Sequence, residues 1–282
     1  MSFRWRKPSR LSGSVKGIRV RVAVKGGEGS GVAMAEPFGH EKLIVYQKGL
    51  RFAAVRRTLL DGLPRRVAAC DHLNRGAESV LVNIAHASST WSANERIVYL
   101  GHANGSALEC AACLDVLVAK NLLAADDVYP GKSLLAEVVS MLITMRKTAA
   151  NRVHEEHAAY RTKKGRLFDH EALDVYQVAL QLVAWLEPML LVFSCSADLK
   201  AKLDKSTTSV VLNIAEGNGR FTGTDQAVFY ETAYKATVQS ASLIDLAAAD
   251  DLAAVSRVEQ GRERLRRIAA MLTALSKVAA NA

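Results

Sequence analysis

The chain has 282 residues, of which half are apolar and only 5 are proline. This length predicts two domains at about 150 residues each, and a composition rich in Ala, Leu and Val favours helices over sheets. No window of about 18 residues is apolar throughout, which argues against a membrane span. The basic N-terminus has no apolar signal core and the four cysteines do not form a disulfide framework, so we expect a reducing cytoplasm.

The net charge of +9 is concentrated in two segments. Residues 1–33 carry eight basic residues and one acidic residue, and residues 146–166 carry seven basic residues and two acidic ones. A basic tail and a basic linker can bind RNA or DNA phosphates, with an affinity that falls steeply with salt. A solvated tail without a partner, or a translation start at Met34, explains the same composition. The nucleic-acid contacts predicted in these segments are Arg4, Arg6, Lys7, Arg10, Lys163 and Lys164.

An internal repeat relates the two halves of the chain at a fixed offset of 130 residues. The offset holds over about 110 residues without a gap, which two unrelated helical segments would not do. We call the residues from Phe38 onward copy one and those from Phe168 onward copy two. The clearest matches pair Phe38, His40, Glu41, Tyr46 and Asn83 with Phe168, His170, Glu171, Tyr176 and Asn213.

Apolar residues at helical spacing predict four helices in each copy. In copy one the first two cover about 40–63 and 65–87, and the fourth begins after Asp126–Asp127. The third opens at Ser92 with Glu95 three residues later, which is the spacing of a capping box. The pairs with this spacing in copy two are Thr222 with Asp225 and Ser256 with Glu259.

Short connections between amphipathic helices favour an antiparallel bundle, because they make consecutive helices neighbours. The sequence therefore predicts an all-α fold of two tandem antiparallel four-helix bundles joined by a basic linker. The predicted boundaries are a basic, disordered tail over 1–35, copy one over 36–148, a linker or helical extension over 149–166, and copy two over 167–282.

Two segments of copy two resemble a known family. The head of its first helix, Phe168 to Gln177, and the sequence Asn213-Ile-Ala-Glu-Gly followed by Gly219-Arg220 are similar to the hallmarks of the 23S rRNA intervening-sequence proteins, which are small four-helix bundles. We call residues 213–220 the hallmark segment. The resemblance covers about 38–147 and 168–277. In copy one, His86, Ala87 and Thr90 stand where the hallmark has glutamate, glycine and arginine.

The resemblance implies an assembly rather than a catalyst. Members of this family usually carry one bundle, and relatives form ring-like homopentamers. One branch, the accessory variability determinant of diversity-generating retroelements, is basic and binds a reverse transcriptase and nucleic acid. The intervening-sequence branch has no established biochemical activity. We therefore expect a homo-oligomer and treat a reverse transcriptase as a candidate partner.

The hallmark residues are open to a structural and to a partner-binding interpretation. We call two residues that are 130 positions apart twins. In the structural interpretation, Asn213 and its twin Asn83 satisfy backbone groups, and Glu216 pairs with Arg220 or Lys235. Gly217 would then end its helix in the left-handed conformation that glycine adopts freely. In the other interpretation, only copy two keeps the site, so function would lie on copy two and copy one would be preserved mainly for packing.

No arrangement of residues predicts catalysis, a cofactor or a metal. Cys110 and Cys113 lie in an alanine-rich helix, where buried free cysteines are common. His154 and His157 lack the spacing of a metalloprotease helix, and the glycine-rich run 26–31 lacks the residues of a phosphate loop. We expect no enzymatic activity.

The last helix of copy two is rich in arginine. Arg262 and Arg266 share one face, with Glu259 and Glu263 interleaved, so that face is either salt-bridged or a nucleic-acid contact. The expected function is a non-catalytic oligomerising scaffold that binds a protein or RNA partner, using alanine-rich faces such as Ala247–Ala249 and Ala269–Ala270. The alternative is a nucleic-acid-binding accessory protein of a diversity-generating retroelement, acting with a reverse transcriptase.

Overall fold

The structure is entirely helical over the residues it describes. It is a computed structural model that describes residues 38–64, 67–90, 92–150, 167–193, 195–250 and 255–280. Within these ranges the chain forms eight α-helices and two short 3-10 helices, with no strand. The predicted all-α fold and the tandem arrangement are confirmed.

Copy one contains the first four helices. A 3-10 helix over Gly39–Lys42 leads into α1, and each helix packs on the next while α1 also packs on α4. Each of the four helices therefore packs on two others, and their apolar faces meet in the core of copy one. The bounds are α1 Ile44–Leu60, α2 Ala68–Ser89, α3 Ala93–Ala119 and α4 Ala125–Ala150.

Copy two repeats this arrangement. A 3-10 helix over Asp169–Ala172 leads into α5, consecutive helices pack together, and α5 packs on α8. The same contacts therefore recur at the offset found in the sequence. The bounds are α5 Asp174–Val192, α6 Ala197–Asn218, α7 Gly223–Asp250 and α8 Val255–Ala280.

The helix starts follow the capping signals in part. Ser92 Oγ accepts a hydrogen bond from the Glu95 backbone N–H at 3.3 Å, as predicted. The Glu95 carboxylate, however, accepts a bond from Thr90 Oγ1 at 2.6 Å, so the second half of the capping box is replaced. In copy two, Thr222 Oγ1 accepts from the Asp225 N–H at 3.1 Å.

The predicted role of Gly217 is wrong. Helix α6 continues to Asn218, and Gly62 is the one glycine with a positive φ among the residues described. A Cβ at position 217 would lie 2.9 Å from Tyr230 Cε1, so glycine is required there because α7 packs closely against α6. The backbone is helical, and the side chain of the neighbouring helix sets the requirement.

The cores of the two copies are continuous. Buried apolar side chains from both copies form a single cluster, and Pro37–Ala282 is one compact unit. Cys110 and Cys113 are fully buried in α3. Ala247 and Ala248 are buried in copy two, so these two residues are not a free packing face.

Helix α5 is the one helix in the described part of the chain that is long and apolar enough to cross a membrane by length and composition. Its mean hydropathy is 1.5, and 39% of an 18-residue stretch of the helix is buried inside the protein. The core helix of a folded domain has the same length and composition. Val175, Leu182 and Leu186 of α5 are buried in the core of copy two.

Several predictions concern residues outside the described ranges. These are the disordered tail over 1–35, the glycine-rich run 26–31, and His154 and His157 with most of the linker over 149–166. Helix α4 continues to Ala150, two residues beyond the predicted end of copy one. The domain boundaries otherwise stay predictions.

Candidate interaction site at the joint between the two copies

The two copies contact each other through different surfaces. Helix α3 of copy one packs on α5 and α6 of copy two, and α2 packs on α6. At the offset of 130 residues, α3 corresponds to α7, α6 to α2, and α5 to α1. Among the described helices, α7 contacts neither α2 nor α1. The joint is therefore mainly heterologous: copy one contributes chiefly α3 and copy two contributes α5 and α6, while the smaller α2–α6 contact is the one between corresponding helices.

The hallmark segment lies at this joint. Glu216 and Arg220 form an ion pair one helical turn apart, and the Arg220 guanidinium lies 4.2 Å from the centre of the Phe229 ring. A Cβ on Gly105 of α3 would lie 2.8 Å from Glu216 Oε1 and 3.1 Å from Arg220 Nη2. Burial raises the pKa of the Glu216 carboxyl above its usual range, and Arg220 opposes that shift. The predicted pairing of Glu216 with Arg220 is what the structure has.

A second close approach follows the end of α6. A Cβ on Gly219 would lie 1.8 Å from Leu108 Cδ1, and Asn104 Nδ2 donates a hydrogen bond to the Gly219 carbonyl at 3.2 Å. Leu108 is 5% exposed and Asn104 is 2% exposed. The absence of a side chain at Gly219 therefore lets copy two pack directly on copy one.

The two asparagines make the same hydrogen bonds in both copies. Asn213 Nδ2 donates to the Ser209 carbonyl at 2.8 Å and to Ser209 Oγ at 3.1 Å. Asn83 makes the corresponding bonds to Ser79 at the same distances. Because the pattern recurs where the rest of the hallmark is lost, these asparagines hold their own helices rather than the joint.

A buried lysine links the copies near the end of α3. Lys120 Nζ lies 2.7 Å from Asp204 and 2.6 Å from Glu187, and the Lys120 side chain is 2% exposed. Burial alone would lower the pKa of Lys120, but the two carboxylates outweigh it and the pKa is raised. Asp204 also accepts a hydrogen bond from the Ala68 N–H at 2.9 Å, so it ties α6 to the start of α2.

A second buried cluster joins the head of copy two to copy one. Lys132 of α4 lies 2.6 Å from Asp115 of α3 and forms an ion pair with Glu171 of copy two. The Tyr176 hydroxyl donates to the other oxygen of Asp115 at 2.8 Å. Burial raises the pKa of the Asp115 carboxyl, while Lys132 and Tyr176 lower it. The polar groups of the four side chains therefore bind one another at a largely buried site.

His170 lies beside this cluster in a fully buried stack. Its ring stacks on Phe168 at 5.4 Å between centres and meets the Tyr176 ring edge-on at 4.7 Å. Burial, with the nearby charge of Lys132, lowers the pKa of His170 to about 3. The ring is therefore neutral at neutral pH and packs as an aromatic side chain.

Of the other predicted contact residues, the structure describes only Arg262 and Arg266. Arg4, Arg6, Lys7, Arg10, Lys163 and Lys164 lie outside the described residues. Arg262 forms an ion pair with Asp245 at 2.7 Å, and Arg266 pairs with Glu259 and Glu263. In the described part of the chain, no group of three or more His, Cys, Asp or Glu side chains could hold a metal ion.

The sequence analysis missed the residues of copy one that form the joint. The signal for them is a difference between the copies: Gly105 and Leu108 of α3 are buried, whereas the residues 130 positions later, Lys235 and Val238, are exposed. Comparison of twin positions therefore locates the joint, whereas shared residues locate the common bundle core.

The repeat, the four helices of each copy and the hallmark segment agree with one family. The family model for the 23S rRNA-intervening sequence protein matches residues 41–144 and again residues 171–274. The chain belongs to the 23S rRNA-intervening sequence protein family. The double match confirms a tandem duplication of the family's domain within this chain.

No curated protein and no solved structure matches this chain. The link to the retroelement branch stays an expectation from the resemblance.

Proposed function

We propose that the chain is a non-catalytic oligomerising scaffold that binds a protein or RNA partner. One observation carries this proposal: the joint between the copies is heterologous. A heterologous contact pairs two different surfaces, so each molecule still has one copy of each surface exposed for a neighbour. Such a contact can repeat in rings or in open chains of molecules.

The unused twin of the α3 surface is an apolar stripe on α7. Asn104, Leu108 and Val116 of α3 are at most 5% exposed. Their twins Tyr234, Val238 and Leu246 are 39%, 48% and 50% exposed. A row of large apolar side chains on one face of a helix is typical of a protein–protein contact.

The other unused surface lies on α2 of copy one. Asp204, Thr208 and Leu212 of α6 are buried, and their twins Asn74, Glu78 and Val82 are exposed. The two outer surfaces are mixed apolar and polar, as contacts between separately folded molecules generally are. This supports docking of whole molecules at both ends of the chain.

The experiment that tests self-association is light scattering of the purified full chain across a wide range of concentration. We expect a mass that rises above the 30.5 kDa of one chain as concentration increases. A chain that stays monomeric at every concentration would contradict the oligomerising scaffold.

The second candidate function is the nucleic-acid-binding accessory protein of a diversity-generating retroelement, acting with a reverse transcriptase. The basic charge of residues 1–33 and 146–166 favours it. The described Arg262 and Arg266 are paired with carboxylates, which lowers their availability to phosphates. Binding that involves the tail should lose affinity steeply with salt.

Fluorescence anisotropy with a labelled single-stranded RNA tests this second candidate. Replacing Arg4, Arg6, Lys7 and Arg10 by Gln should lower the slope of log affinity against log salt by up to about 3, because each phosphate contact contributes about 0.7. An unchanged slope would show that these four residues do not contact the RNA phosphates. The matched control replaces four exposed basic residues of the bundles, Lys42, Arg51, Lys202 and Lys205.

A further inference from the structure

The head of copy two fills a pocket in copy one. We call residues 168–176 the head segment of copy two and residues 38–46 the head segment of copy one. Phe168, His170 and Tyr176 are at most 2% exposed. Tyr176 and Glu171 bind the Asp115–Lys132 pair, and Lys132 Nζ lies 5.7 Å from the centre of the Phe168 ring. Helices α3 and α4 supply this pocket.

Copy two carries the same pocket, open to solvent. It is a groove between α7 and α8 in which Asp245 and Arg262 pair at 2.7 Å, as Asp115 and Lys132 pair at 2.6 Å in copy one. The Asp245 side chain is 58% exposed, whereas that of Asp115 is 15% exposed. The groove is lined by Val238, Ala241, Asp245, Arg262, Leu265 and Ala269. Their twins in copy one are Leu108, Ala111, Asp115, Lys132, Leu135 and Val139.

Copy one carries the same head segment, exposed. Its internal geometry already matches that of the buried one: Phe38 stacks on His40 at 5.8 Å, and His40 meets Tyr46 edge-on at 4.7 Å. The Glu41 carboxylate accepts a hydrogen bond from the Phe38 N–H at 3.1 Å, as Glu171 does from Phe168 at 3.3 Å. Phe38 is nonetheless 73% exposed.

The free head segment and the open pocket do not meet within one molecule. Among the described helices, α1 contacts neither α7 nor α8, and the 3-10 helix that precedes α1 contacts only α1 and α2. A stacked aromatic head that is formed but uncovered, and a pocket with the same ion pair that is formed but unfilled, are complementary ends of one chain. Only a second molecule can join them.

We propose that the head segment of copy one binds the α7–α8 pocket of copy two in another molecule of the same chain. The Tyr46 hydroxyl donates a hydrogen bond to Asp245, as Tyr176 does to Asp115 inside the molecule. Glu41 forms an ion pair with Arg262, as Glu171 does with Lys132. This inference rests on the proposed function and assigns the residues and the direction of self-association.

Exchanges of side-chain size support the same contact. Inside the molecule, Leu108 meets Gly219; the twin positions hold the smaller Val238 and the larger Ser89. Likewise Gly105 meets Arg220, and the twin positions hold Lys235 and Thr90. In both pairs one side becomes smaller and the other becomes larger, so bulk is exchanged between the two sides of the second joint. One basic side chain also remains at the second contact.

The test uses two single variants of the full chain in sedimentation velocity. Phe38→Asp changes only the head segment and Val238→Asp changes only the pocket, and both side chains are exposed in the single molecule. We expect each variant alone to raise the self-association Kd by at least about tenfold. An equimolar mixture should form one-to-one dimers, because one intact head and one intact pocket remain.

The controls separate this contact from general effects of charge and folding. Val278→Asp changes a side chain that is 69% exposed, and its twin Thr148 is exposed in copy one, off the joint. This variant should associate like the unmodified chain. Tyr46→Phe removes a single hydroxyl and should weaken association by a few-fold, which keeps the test valid if an aspartate variant misfolds.

The outcomes distinguish this inference from the proposed function. If the unmodified chain associates and neither aspartate variant alters its mass, the contact lies elsewhere and the inference is overturned, while the scaffold stands. If the mixture does not form dimers although each variant is monomeric, the contact is not head to pocket and the inference also fails. If the unmodified chain is always monomeric, both fail.

Discussion

The two head segments share their Phe, His, Glu and Tyr residues and the same internal stacking, but they have opposite surroundings. In copy two, Phe168 is 2% exposed and His170 lies in a fully buried site, whereas Phe38 of copy one is 73% exposed. The short-range sequence therefore determines the local structure of the head. Whether the head is buried depends on the surface opposite it. Copy one supplies that surface to copy two, and no described helix supplies it to copy one.

The hallmark segment shows the same difference between the copies. Glu216 and Arg220 face Gly105 across the joint, and their twins His86 and Thr90 have no counterpart of α3 beside them. The loss of the hallmark in copy one thus coincides with the position that is not used inside the molecule. The hallmark of copy two contacts copy one directly, so copy one is more than a packing remnant.

The largest effect is expected where the joint buries charge. Lys120→Ala leaves Asp204 buried and without its cation, and should lower the free energy of unfolding by about 3 kcal/mol. Urea unfolding followed by circular dichroism measures this change. The control is Lys202→Ala, which breaks the exposed pair with Asp198 at 2.6 Å and should cost less than about 0.5 kcal/mol. Equal losses in the two variants would contradict a buried joint.

The buried histidine should make stability fall with acid. The pKa of His170 is about 3 in the folded chain and about 6.5 when unfolded, so between these values only the unfolded chain binds the proton. Stability contributed by the neutral ring is present above pH 6.5 and is lost as pH falls. Lowering the pH from 6 to 4 should therefore cost about 2.5 kcal/mol from this group.

His170→Phe isolates that contribution. The variant keeps an aromatic ring between Phe168 and Tyr176 and removes the titrating nitrogen atoms. Its unfolding free energy should change less between pH 6 and pH 4 than that of the unmodified chain, because all other titrating groups are shared. Parallel pH profiles for the two proteins would show that His170 is protonated without penalty.

A smaller difference is expected between the twin tyrosines. Tyr176→Phe removes the hydrogen bond to buried Asp115 and should lower the free energy of unfolding by about 1 kcal/mol. Tyr46→Phe, at the free head, should change it by less than about 0.5 kcal/mol in dilute, monomeric protein. Chemical denaturation of both variants measures the difference. A loss at Tyr46 as large as that at Tyr176 would mean that the two heads are equally buried.

The smallest effects should have opposite signs at twin glycines. A Cβ at Gly131 would lie 3.5 Å from Leu114 Cδ1, so Gly131→Ala should stabilise α4 by up to about 1 kcal/mol. A Cβ at Gly261 would lie 2.4 Å from Trp185 Cη2, and displacing the indole should make Gly261→Ala destabilising by about 1 kcal/mol. Thermal unfolding of the two variants gives the signs. Stabilisation at both positions would contradict the close contact of α8 with Trp185.

The repeat, the helical class and the capping serine at Ser92 could be predicted because each depends on local pattern or on residues that both copies share. The family followed from the hallmark segment. The prediction that Gly217 ends its helix is wrong, because the requirement for glycine comes from Tyr230 on the next helix. A short sequence window does not contain that residue. The joint depends on contacts more than 100 residues apart, such as Asn104 with Gly219, and these are set by how the finished bundles pack.

The most direct test of the account is a double-mutant cycle at twin positions. Tyr176→Phe with Asp115→Ala should show a coupling of about 1 kcal/mol in unfolding free energy, because the two side chains meet inside the molecule. Tyr46→Phe with Asp245→Ala should show almost none in dilute protein, since those residues belong to different ends of the chain. Equal coupling in the two cycles, or none in the first, would contradict the heterologous joint.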